Sequence, residues 1–494
     1  MAAMDPIIVG IAVLYLAVVL AIGVWGFRET GSTEDFLISG KRFGIWAVAF
    51  SAFASIMSGF GFIGGPGLFY DGGYAFLWIA IVAPLAFPIS WFVLGKKMRL
   101  LAEVREILTI PDAADARYDS DAVRFFVSVS VLLGVISYLA VQLKAMGFVL
   151  AEILGTTELV AVLIATAVIA AYTVGGGMIA GVMTDLLQGG VMVVGSVVVF
   201  FIAWDYGDGW LQMSQNIALE EPTAAGAFGS FPVMLALSWY FLFTVGNSGQ
   251  PHMAHKLYMI RDVKLLKWGA PIAGLSYFAS SLMMLGIGIA VRAGVEAGDI
   301  AALSNPDMAA PYFLTEFTHP VVAGVVFAAA IGAIMSTSDA FINIGAANMA
   351  RDIPTSLGFR YSSDRQELWA NRIGSATIIV LSLFLAYFGQ ILVGLLGVVG
   401  WALFAAPLVP LLGIGLNWDG ATREGAIAAS VVSLVLNLSL AVSDYFFEVT
   451  LPHGVVAGAF SLVVTSIVLV GVSLVTNSHA RDRITEDIRK VVRA

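Results

Sequence analysis

Apolar stretches of similar length follow one another along most of the 494-residue chain, separated by short polar connections. A helix needs about 20 mainly apolar residues to cross the hydrocarbon core of a bilayer. An open sheet edge would leave backbone groups unsatisfied in lipid, so each such stretch is predicted to be a helix. The thirteen predicted spans are 5–27, 45–70, 73–95, 122–153, 158–175, 184–204, 231–259, 268–291, 320–350, 370–388, 390–416, 424–443 and 452–475.

Two of these spans are interrupted by polar and glycine-rich sequence. The span 45–70 contains "SGFGFIGGPG" and the span 231–259 contains "VGNSGQPH". Each opens a group of five helices, and the two enter the membrane from opposite sides, a pattern typical of inverted-repeat transporters. Gly and Pro are also frequent in membrane helices for other reasons, which is the plainer alternative. The predicted organisation is an extra helix and loop (1–44), two inverted repeats (45–204 and 205–416) and a C-terminal pair with its tail (417–494).

Composition agrees with an all-α polytopic membrane protein. Hydrophobic residues make up 59% of the chain and charged residues 12%, against about 25% charged in soluble domains. The chain has no Cys, which excludes disulfides and thiol chemistry, and its five His leave little for a multi-His metal centre. A net charge of −9, spread over loops, predicts no nucleic-acid partner. No basic region precedes the first span, which is therefore predicted to be a retained helix.

The basic residues predict the orientation. Lys and Arg concentrate in the loops 28–44, 96–124, 256–267 and 351–372 and in the tail, all on one side of the predicted topology. The long loops on the other side carry acids instead. By the positive-inside rule, the N-terminus is expected outside and the C-terminus in the cytoplasm, with the chain in the plasma (inner) membrane.

The glycines at 59–64 formally match the G-x-G-x-x-G pattern of dinucleotide-binding proteins. That fingerprint must follow a strand and needs an acid about 20 residues later. Here the pattern lies inside a membrane span and is followed by apolar sequence. It predicts instead an unwound helix, whose carbonyls face a cation and whose new N-terminus faces an anionic group of a solute.

The ninth span carries a polar stripe at helical spacing. Ser336, Asp339 and Asn343 follow one face, and Thr337 adds a second hydroxyl beside Ser336. Such hydroxyls can simply bond to their own helix. An acid at membrane depth is costly and usually functional, which favours a site. Two hydroxyls, with carbonyls freed where another helix unwinds, would provide oxygen ligands for Na⁺.

Other polar residues leave two interpretations open. Asp185 is either an acid stabilised by a helix N-terminus or a polar station on the cytoplasmic exit of the ion. Lys144 either extends to the outer interface or faces the bundle interior. Tyr138 and Gln142 lie one turn apart, and they either contact a solute or pack against neighbouring helices. His252 and His255 have no third ligand nearby in sequence, so a metal site is not predicted.

Four motifs resemble one family, the sodium/solute symporters, which contains sodium-coupled sugar, proline and pantothenate transporters. They are "SAFASIMSGFGFIGGPG", "YTVGGGMIAGVMTDLLQG", "GQPH" followed by Lys256, and "IMSTSDAFINIGAANMARD". The resemblance covers nearly the whole chain and is closest to the proline/pantothenate branch. It implies an inverted five-plus-five bundle with one helix before it and two after it, which agrees with the thirteen predicted spans.

The resemblance also implies site residues. The main sodium site would use the carbonyls of Ala54, Met57 and Ala333 and the hydroxyls of Ser336 and Thr337. Asp185 and Ser338 would belong to a second sodium site or to the ion's exit path. The implied solute-binding residues are Ser58, Gly59, Tyr138, Gln142, Phe243, Asn247, Gln250 and Pro251.

This chain departs from the proline-type pattern at several positions. Ile56 stands where that branch has Asp, and Lys41 followed by Arg42 stands where the family has Arg. Phe243 and Asn247 replace larger or hydroxylated aromatic residues. The sodium hydroxyl pair is intact, so these departures concern the identity of the solute.

The predicted function is sodium-coupled import of a small organic solute, an amino acid or a carboxylate, by alternating access. No organic cofactor and no obligatory protein partner are predicted; the lipid bilayer is the surrounding partner. Two alternatives stay open, a proton-coupled symporter using Asp185 and Asp339, and a sensor that binds a solute without moving it. A membrane-embedded enzyme would need a nucleophile–base pair or a metal at membrane depth, and none is evident.

Overall fold

The computed structural model describes residues 5–29, 43–229, 231–257, 260–388, 393–448, 450–477 and 484–494. Within its helices the side chains at 23, 26–29, 83, 168, 171–181, 364, 368 and 445 lie outside this description, as do Lys41 and Arg42. The secondary structure of the described ranges is helical, and one isolated parallel bridge pairs Phe43 with Ile260. The predicted all-α class is confirmed.

The described residues form nineteen α-helices of more than four residues. They are α1 (Pro6–Glu29), α2 (Ile45–Ile56), α3 (Gly65–Gly72, continuous with a π-helical turn Phe60–Gly64), α4 (Ala83–Ser90), α5 (Lys96–Val104), α6 (Ile110–Tyr118), α7 (Asp121–Leu154), α8 (Glu158–Tyr206), α9 (Trp210–Glu220), α10 (Val233–Gly246), α11 (Pro251–Lys256), α12 (Leu266–Glu296), α13 (Ala309–Phe317), α14 (Pro320–Ala347), α15 (Asp364–Phe388), α16 (Val393–Leu408), α17 (Arg423–Phe447), α18 (Ala457–Thr476) and α19 (Glu486–Arg493).

Eight helices of the described chain are long and apolar enough to cross a membrane, or nine if the bent pair formed by Ile45–Ile56 and Phe60–Ala80 counts as one span. Two shorter apolar helices, Pro6–Ile22 and Glu158–Ala167, fall below that length. The chain is therefore a multi-pass membrane protein. The predicted number of thirteen spans is larger than this count.

The predicted spans 158–175 and 184–204 lie in one helical run, within which Val182–Tyr206 is long and apolar enough to cross a membrane and Glu158–Ala167 is a shorter apolar helix. Helical backbone continues from Glu158 to Tyr206 as α8. A straight helix of that length would measure about 74 Å, more than twice the hydrocarbon thickness of about 30 Å. The sequence between the two predicted spans includes three consecutive glycines at 175–177, and glycine lowers helix propensity without forbidding helix.

Several segments that were predicted as loops contain helices. The predicted connection 96–124 includes α5 and α6, and α6 begins with a capping box between Thr109 and Asp112. The predicted outer loops contain α9 and α13, and the tail contains α19. These helices are short or polar, so a search for long apolar stretches could not find them.

Burial separates a central set of helices from a peripheral set. Of an apolar 18-residue stretch in each helix, 83% is buried in α14 and 89% in α16. The buried share is only 18% in α15 and 33% in α17. Helix α7 packs against α8, α14 and α16, while α1 packs on α8 and α14. The pair α17 and α18 packs against α16. The peripheral faces are apolar and exposed, as expected for surfaces in contact with lipid.

Both interrupted spans lie among the central helices. The first bends by 55° between α2 and the helical run that starts at Phe60. The second passes from α10 through a 3₁₀ turn, Asn247–Gly249, into α11. Helix α11 contacts α2, and α16 contacts both the π-helical turn and the 3₁₀ turn. The two breaks thus share one region of the bundle.

Candidate functional site

The first break frees backbone carbonyls at the centre of the bundle. Helix α2 ends at Ile56, and Met57 leaves helical geometry with φ −76° and ψ 81°. Within the described chain, the carbonyls of Ala54 and Ser55 accept no backbone N–H from the following turn. Because the chain turns away here, these oxygens are available to other groups.

Two hydroxyls of α14 occupy that position. Thr337 Oγ1 lies 3.1 Å from the Ser55 carbonyl and 2.8 Å from the Ala333 carbonyl. Ser336 Oγ lies 3.1 Å from the Ala333 carbonyl and 3.5 Å from that of Ala54. Both residues are buried. The structure therefore brings together hydroxyl and carbonyl oxygens from two helices, the ligand type that hard cations prefer.

Four of the five residues predicted for the main sodium site meet in this cluster, and Ser55 was missed. Met57, the fifth, lies in the break itself, where its N–H donates to the Phe53 carbonyl at 2.8 Å. The sequence could have indicated Ser55, since it lies in the same last turn of α2 as Ala54. No cluster of three or more His, Cys, Asp or Glu suited to a metal occurs among the described residues.

Asp185 lies in a second polar cluster, away from Ser338. Its Oδ2 accepts a hydrogen bond from the Ser51 hydroxyl and lies 3.2 Å from Lys256 Nζ. The Asp185 and Lys256 side chains are 3% and 4% exposed, so the ion pair is essentially dry. Ser338 instead donates to the Ile334 carbonyl of its own helix at 2.6 Å. The cluster joins α2, α8 and α11.

The polar stripe of α14 continues as the sequence indicated. Asn343 Nδ2 donates to Asp339 Oδ1 at 3.3 Å. A further polar contact was missed: Tyr15 of α1 and Gln188 of α8 both pack against Gly332 of α14. Tyr15 lies in an otherwise apolar span, so no sequence pattern marked it.

Predicted solute residues of the first break contact α7. Gly59 N–H donates to Gln142 Oε1 at 2.9 Å, and Ser58 Oγ lies 3.3 Å from Tyr138 Oη. A Cβ at position 59 would lie 2.6 Å from Ala145 Cβ, so only glycine allows this approach. Gln142 and Tyr138 are thus held against the break, and the structure brings these four predicted residues together.

Predicted solute residues of the second break divide into two groups. Gln250 Nε2 donates to the carbonyls of Gly246 and Trp401 at 3.1 and 3.3 Å, which ties the break to α16. Pro251 starts α11, where its missing N–H costs nothing. Asn247 points elsewhere, donating to Ser90 Oγ of α4 at 2.8 Å. In this arrangement Asn247 anchors the turn and does not face Tyr138.

Aromatic rings enclose the region between the breaks in two groups. On one side the Phe243 ring lies 5.6 Å from that of Phe60 and 4.9 Å from that of Trp401. On the other side Phe341 lies 4.7 Å from the ring of His252 and 5.1 Å from that of Tyr138. The sequence analysis missed Phe60, Phe341 and Trp401 as wall residues and considered His252 only as a metal ligand. Spacing alone does not distinguish such rings from ordinary packing.

A buried acid, Asp307, connects the segment before α13 to the start of α16. Asp307 precedes α13, and its Oδ2 accepts the Val393 N–H at 2.9 Å at the start of α16. Its segment, Pro306–Met308, also packs against α3. Burial raises the pKa of Asp307 to about 6, although the Val393 N–H acts in the opposite direction.

Known proteins of similar sequence are transporters. The osmoregulated proline transporter OpuE of Bacillus subtilis (strain 168) is 26% identical over 436 residues, which are 86% of this chain and 87% of that protein. The high-affinity proline transporter PutP of the same organism is 26% identical over 443 residues, which are 87% of this chain and 92% of that protein. Both names match the proline branch that the motifs indicated.

Solved structures with the same fold are also transporters. A Na⁺-coupled sialic acid symporter, in a substrate-bound outward-open state, gives a TM-score of 0.76 at 20% identity and covers 95% of this chain and 98% of its own. The nucleobase-cation-symport-1 transporter Mhp1, in a closed conformation, gives 0.58 at 14% identity, with 93% and 98% covered. At these identities the similarity establishes the fold alone.

The family model settles the classification. The model of the sodium:solute symporter family matches residues 36–433, from the predicted loop before the first repeat into α17, the first helix of the C-terminal pair. The predicted family is confirmed, and with it a transporter rather than an enzyme, with Na⁺ as the coupling ion. The chain belongs to the sodium:solute symporter family.

Proposed function

We propose that this chain imports a small organic solute together with Na⁺ by alternating access, and that the solute is an amino acid or a carboxylate. The observation that carries the proposal is the contact of the Ser336 and Thr337 hydroxyls with the carbonyls freed at the first break. These oxygens come from two helices that belong to different predicted repeats. A cation bound between them would stabilise one arrangement of α2 and α14.

The energetics of such a site favour coupling. Sodium entering from outside loses water and gains hydroxyl and carbonyl oxygens of Ala54, Ser55, Ala333, Ser336 and Thr337. Because the oxygens lie on separate helices, they can hold the ion only while α2 and α14 are in register. Each charge that moves inward also gains about 2.3 kcal/mol per 100 mV of membrane potential.

The solute would bind between the two breaks. Ser58, Gly59, Tyr138 and Gln142 form one wall of this region, and Phe243, Gln250 and Pro251 form the other. Rings on both sides would exclude water from a bound solute. The named relatives are proline transporters, so L-proline is the first solute to test, and Ile56, Phe243 and Asn247 are the positions where this chain differs from their pattern.

The same proposal includes the topology. Thirteen spans, with the N-terminus outside and the C-terminus in the cytoplasm, would place the two repeats at 45–204 and 205–416. The concentration of Lys and Arg in alternate connections supports this orientation. It would place the Asp185–Lys256 cluster on the cytoplasmic side of the sodium oxygens, along an exit path for the ion.

Transport by purified protein in proteoliposomes tests the proposal. Uptake of labelled solutes, beginning with L-proline, is measured under an inward Na⁺ gradient, an inward H⁺ gradient and no gradient. We expect uptake with the Na⁺ gradient alone. Uptake with the H⁺ gradient alone would establish the proton-coupled alternative, and solute binding without any uptake would establish the sensor.

A further inference from the structure

We propose that Trp401 and Gln250 form the polar end of the solute site, and that together they select a zwitterionic α-amino or α-imino acid. This inference rests on the proposed function and names the substrate class of the same site. It assigns the indole N–H of Trp401 as the donor to the solute carboxylate. It assigns the Gln250 side-chain oxygen as the acceptor for the solute's N–H.

The first observation is a pair of buried polar atoms that lack partners. Trp401 Nε1 and Gln250 Oε1 are both buried, and neither forms a hydrogen bond with any described residue. A buried polar group without a partner costs about 1–3 kcal/mol. Two such groups on neighbouring side chains are therefore expensive unless a bound molecule completes them.

The second observation is that the two residues are held next to each other. Gln250 Nε2 donates to the backbone carbonyl of Trp401 at 3.3 Å and to that of Gly246 at 3.1 Å. Both amide hydrogens of Gln250 are thus used within the protein. Only the acceptor oxygen of this amide stays unused, so Gln250 can accept from a ligand but has no donor left for one.

The position of the indole agrees with a site between the breaks. A Cβ at Gly246 would lie 3.0 Å from Trp401 Nε1, so the N–H edge faces the start of the second break. The same ring lies 4.9 Å from Phe243, which stacks on Phe60 of the first break. The indole N–H is therefore part of the surface where the two broken helices approach each other.

The chemistry of the pair determines the solute class. An indole nitrogen can only donate, so its partner must carry an acceptor such as a carboxylate oxygen. Gln250 Oε1 can only accept, so its partner must carry an N–H or an O–H. Since the named relatives are proline transporters, the N–H is the donor proposed here. A monocarboxylate would leave Gln250 unsatisfied, and an amine would leave Trp401 unsatisfied. An α-amino or α-imino acid carries both groups one carbon apart.

The chain offers a matched control in Trp91. Its indole N–H is also buried without a hydrogen-bond partner among the described residues. The Trp91 ring, however, packs against Gly269 of α12, outside the region between the breaks. Trp91→Phe removes the same atom from an equally buried ring and should leave solute recognition unchanged.

The experiment measures Na⁺-dependent equilibrium binding of three probes to the purified full-length protein. The probes are L-proline, pyrrolidine, which keeps the N–H but has no carboxylate or carbonyl acceptor, and tetrahydrofuran-2-carboxylate, which lacks the N–H. Other α-amino acids with matched analogues replace them if the wild type binds these more tightly. We expect Trp401→Phe to weaken binding of the amino acid by about 10-fold or more, as for a charge-assisted bond. Binding of pyrrolidine, which offers no acceptor to the indole, should not change.

Several outcomes would overturn the proposal. They are an unchanged preference for the amino acid over pyrrolidine in Trp401→Phe, an equal loss in Trp91→Phe, and a wild type that prefers the analogue lacking N–H. The Na⁺ concentration for half-maximal binding should stay the same in Trp401→Phe, which also shows that the variant is folded. If that variant does not fold, the benzothiophene analogue of tryptophan at position 401 keeps the ring shape and removes the N–H. If the wild type binds no solute in a Na⁺-dependent way, the proposed function itself fails, together with this site.

Discussion

The two broken helices each expose backbone groups, and these groups find partners in different ways. At the first break the chain leaves helical geometry at Met57 and Ser58, and hydroxyls from α14 approach the freed carbonyls. At the second break a 3₁₀ turn takes over, and the amide of Gln250 bonds to carbonyls of Gly246 and Trp401. The first break therefore presents oxygens that suit a cation. The second is bound to α16 and leaves a donor and an acceptor that suit an organic solute.

Under the proposed function, the two interruptions would serve two different ligands. A helix interruption always exposes backbone groups, which must find partners in an apolar surrounding. The partner helix then decides which ligand the break can bind. Helix α14 offers two hydroxyls beside the first break, whereas α16 offers Ala405 and the Trp401 indole beside the second. The predictions below test this difference between the two breaks, from the largest expected effect to the smallest.

The largest effect is expected where the two broken helices are joined, at the ion pair between Asp185 and Lys256. Lys256→Met would leave a buried carboxylate without its cation, which typically costs about 3–5 kcal/mol. We expect a clear fall in the thermal unfolding midpoint of the purified protein. Adding Asp185→Asn should recover part of this loss, because no uncompensated charge then remains. Equal midpoints for the single and double variants would show that the pair contributes nothing.

The next effect concerns the cation at the first break. Thr337→Ala removes a hydroxyl that lies 3.1 Å from the Ser55 carbonyl, and should raise the Na⁺ concentration for half-maximal uptake 10-fold or more. That change corresponds to about 1.5–3 kcal/mol, the usual value for a charge-assisted contact.

Ser338→Ala provides the control for that experiment. Its hydroxyl donates to a carbonyl of its own helix, so the same deletion one residue later should change the Na⁺ dependence little. If Ser338→Ala had the larger effect, the cation would bind on the other face of α14 and the comparison of the breaks would be wrong.

The smallest effect is expected at Asp307, which links α3 to the start of α16. Its folded pKa of about 6 lies above the ordinary value of 3.8, so the folded protein retains a proton that the unfolded chain has lost. Stability should therefore fall as pH rises through 6, by about 1 kcal/mol between pH 5 and pH 7. Asp307→Asn cannot titrate and should remove this part of the pH dependence. Thermal unfolding at several pH values measures it, and an identical slope in both proteins would contradict the assignment.

Parts of the site could be predicted because they follow from helical spacing. The pairing of Ser336 with Thr337 and the stripe through Asp339 and Asn343 are visible in the sequence, and they lie where expected. The orientation of Asn247 was not predictable, because it depends on Ser90 in a helix some 160 residues earlier in the chain. Trp401 could not be identified as a candidate solute residue, because a tryptophan in an apolar helix usually packs against its neighbours.

By itself the sequence determined that this protein is helical, that it crosses a membrane many times and that two of its helices are interrupted. Those properties depend on composition and local spacing, since lipid admits only backbones that satisfy their own hydrogen bonds. Tertiary structure alone decided which helices meet the interruptions and with which atoms. It paired Lys256 with Asp185, bonded Asn247 to Ser90 of α4 and placed the Trp401 indole beside Gly246. These contacts join residues that are distant in the chain, and a one-dimensional pattern contains no information about which distant faces will pack together.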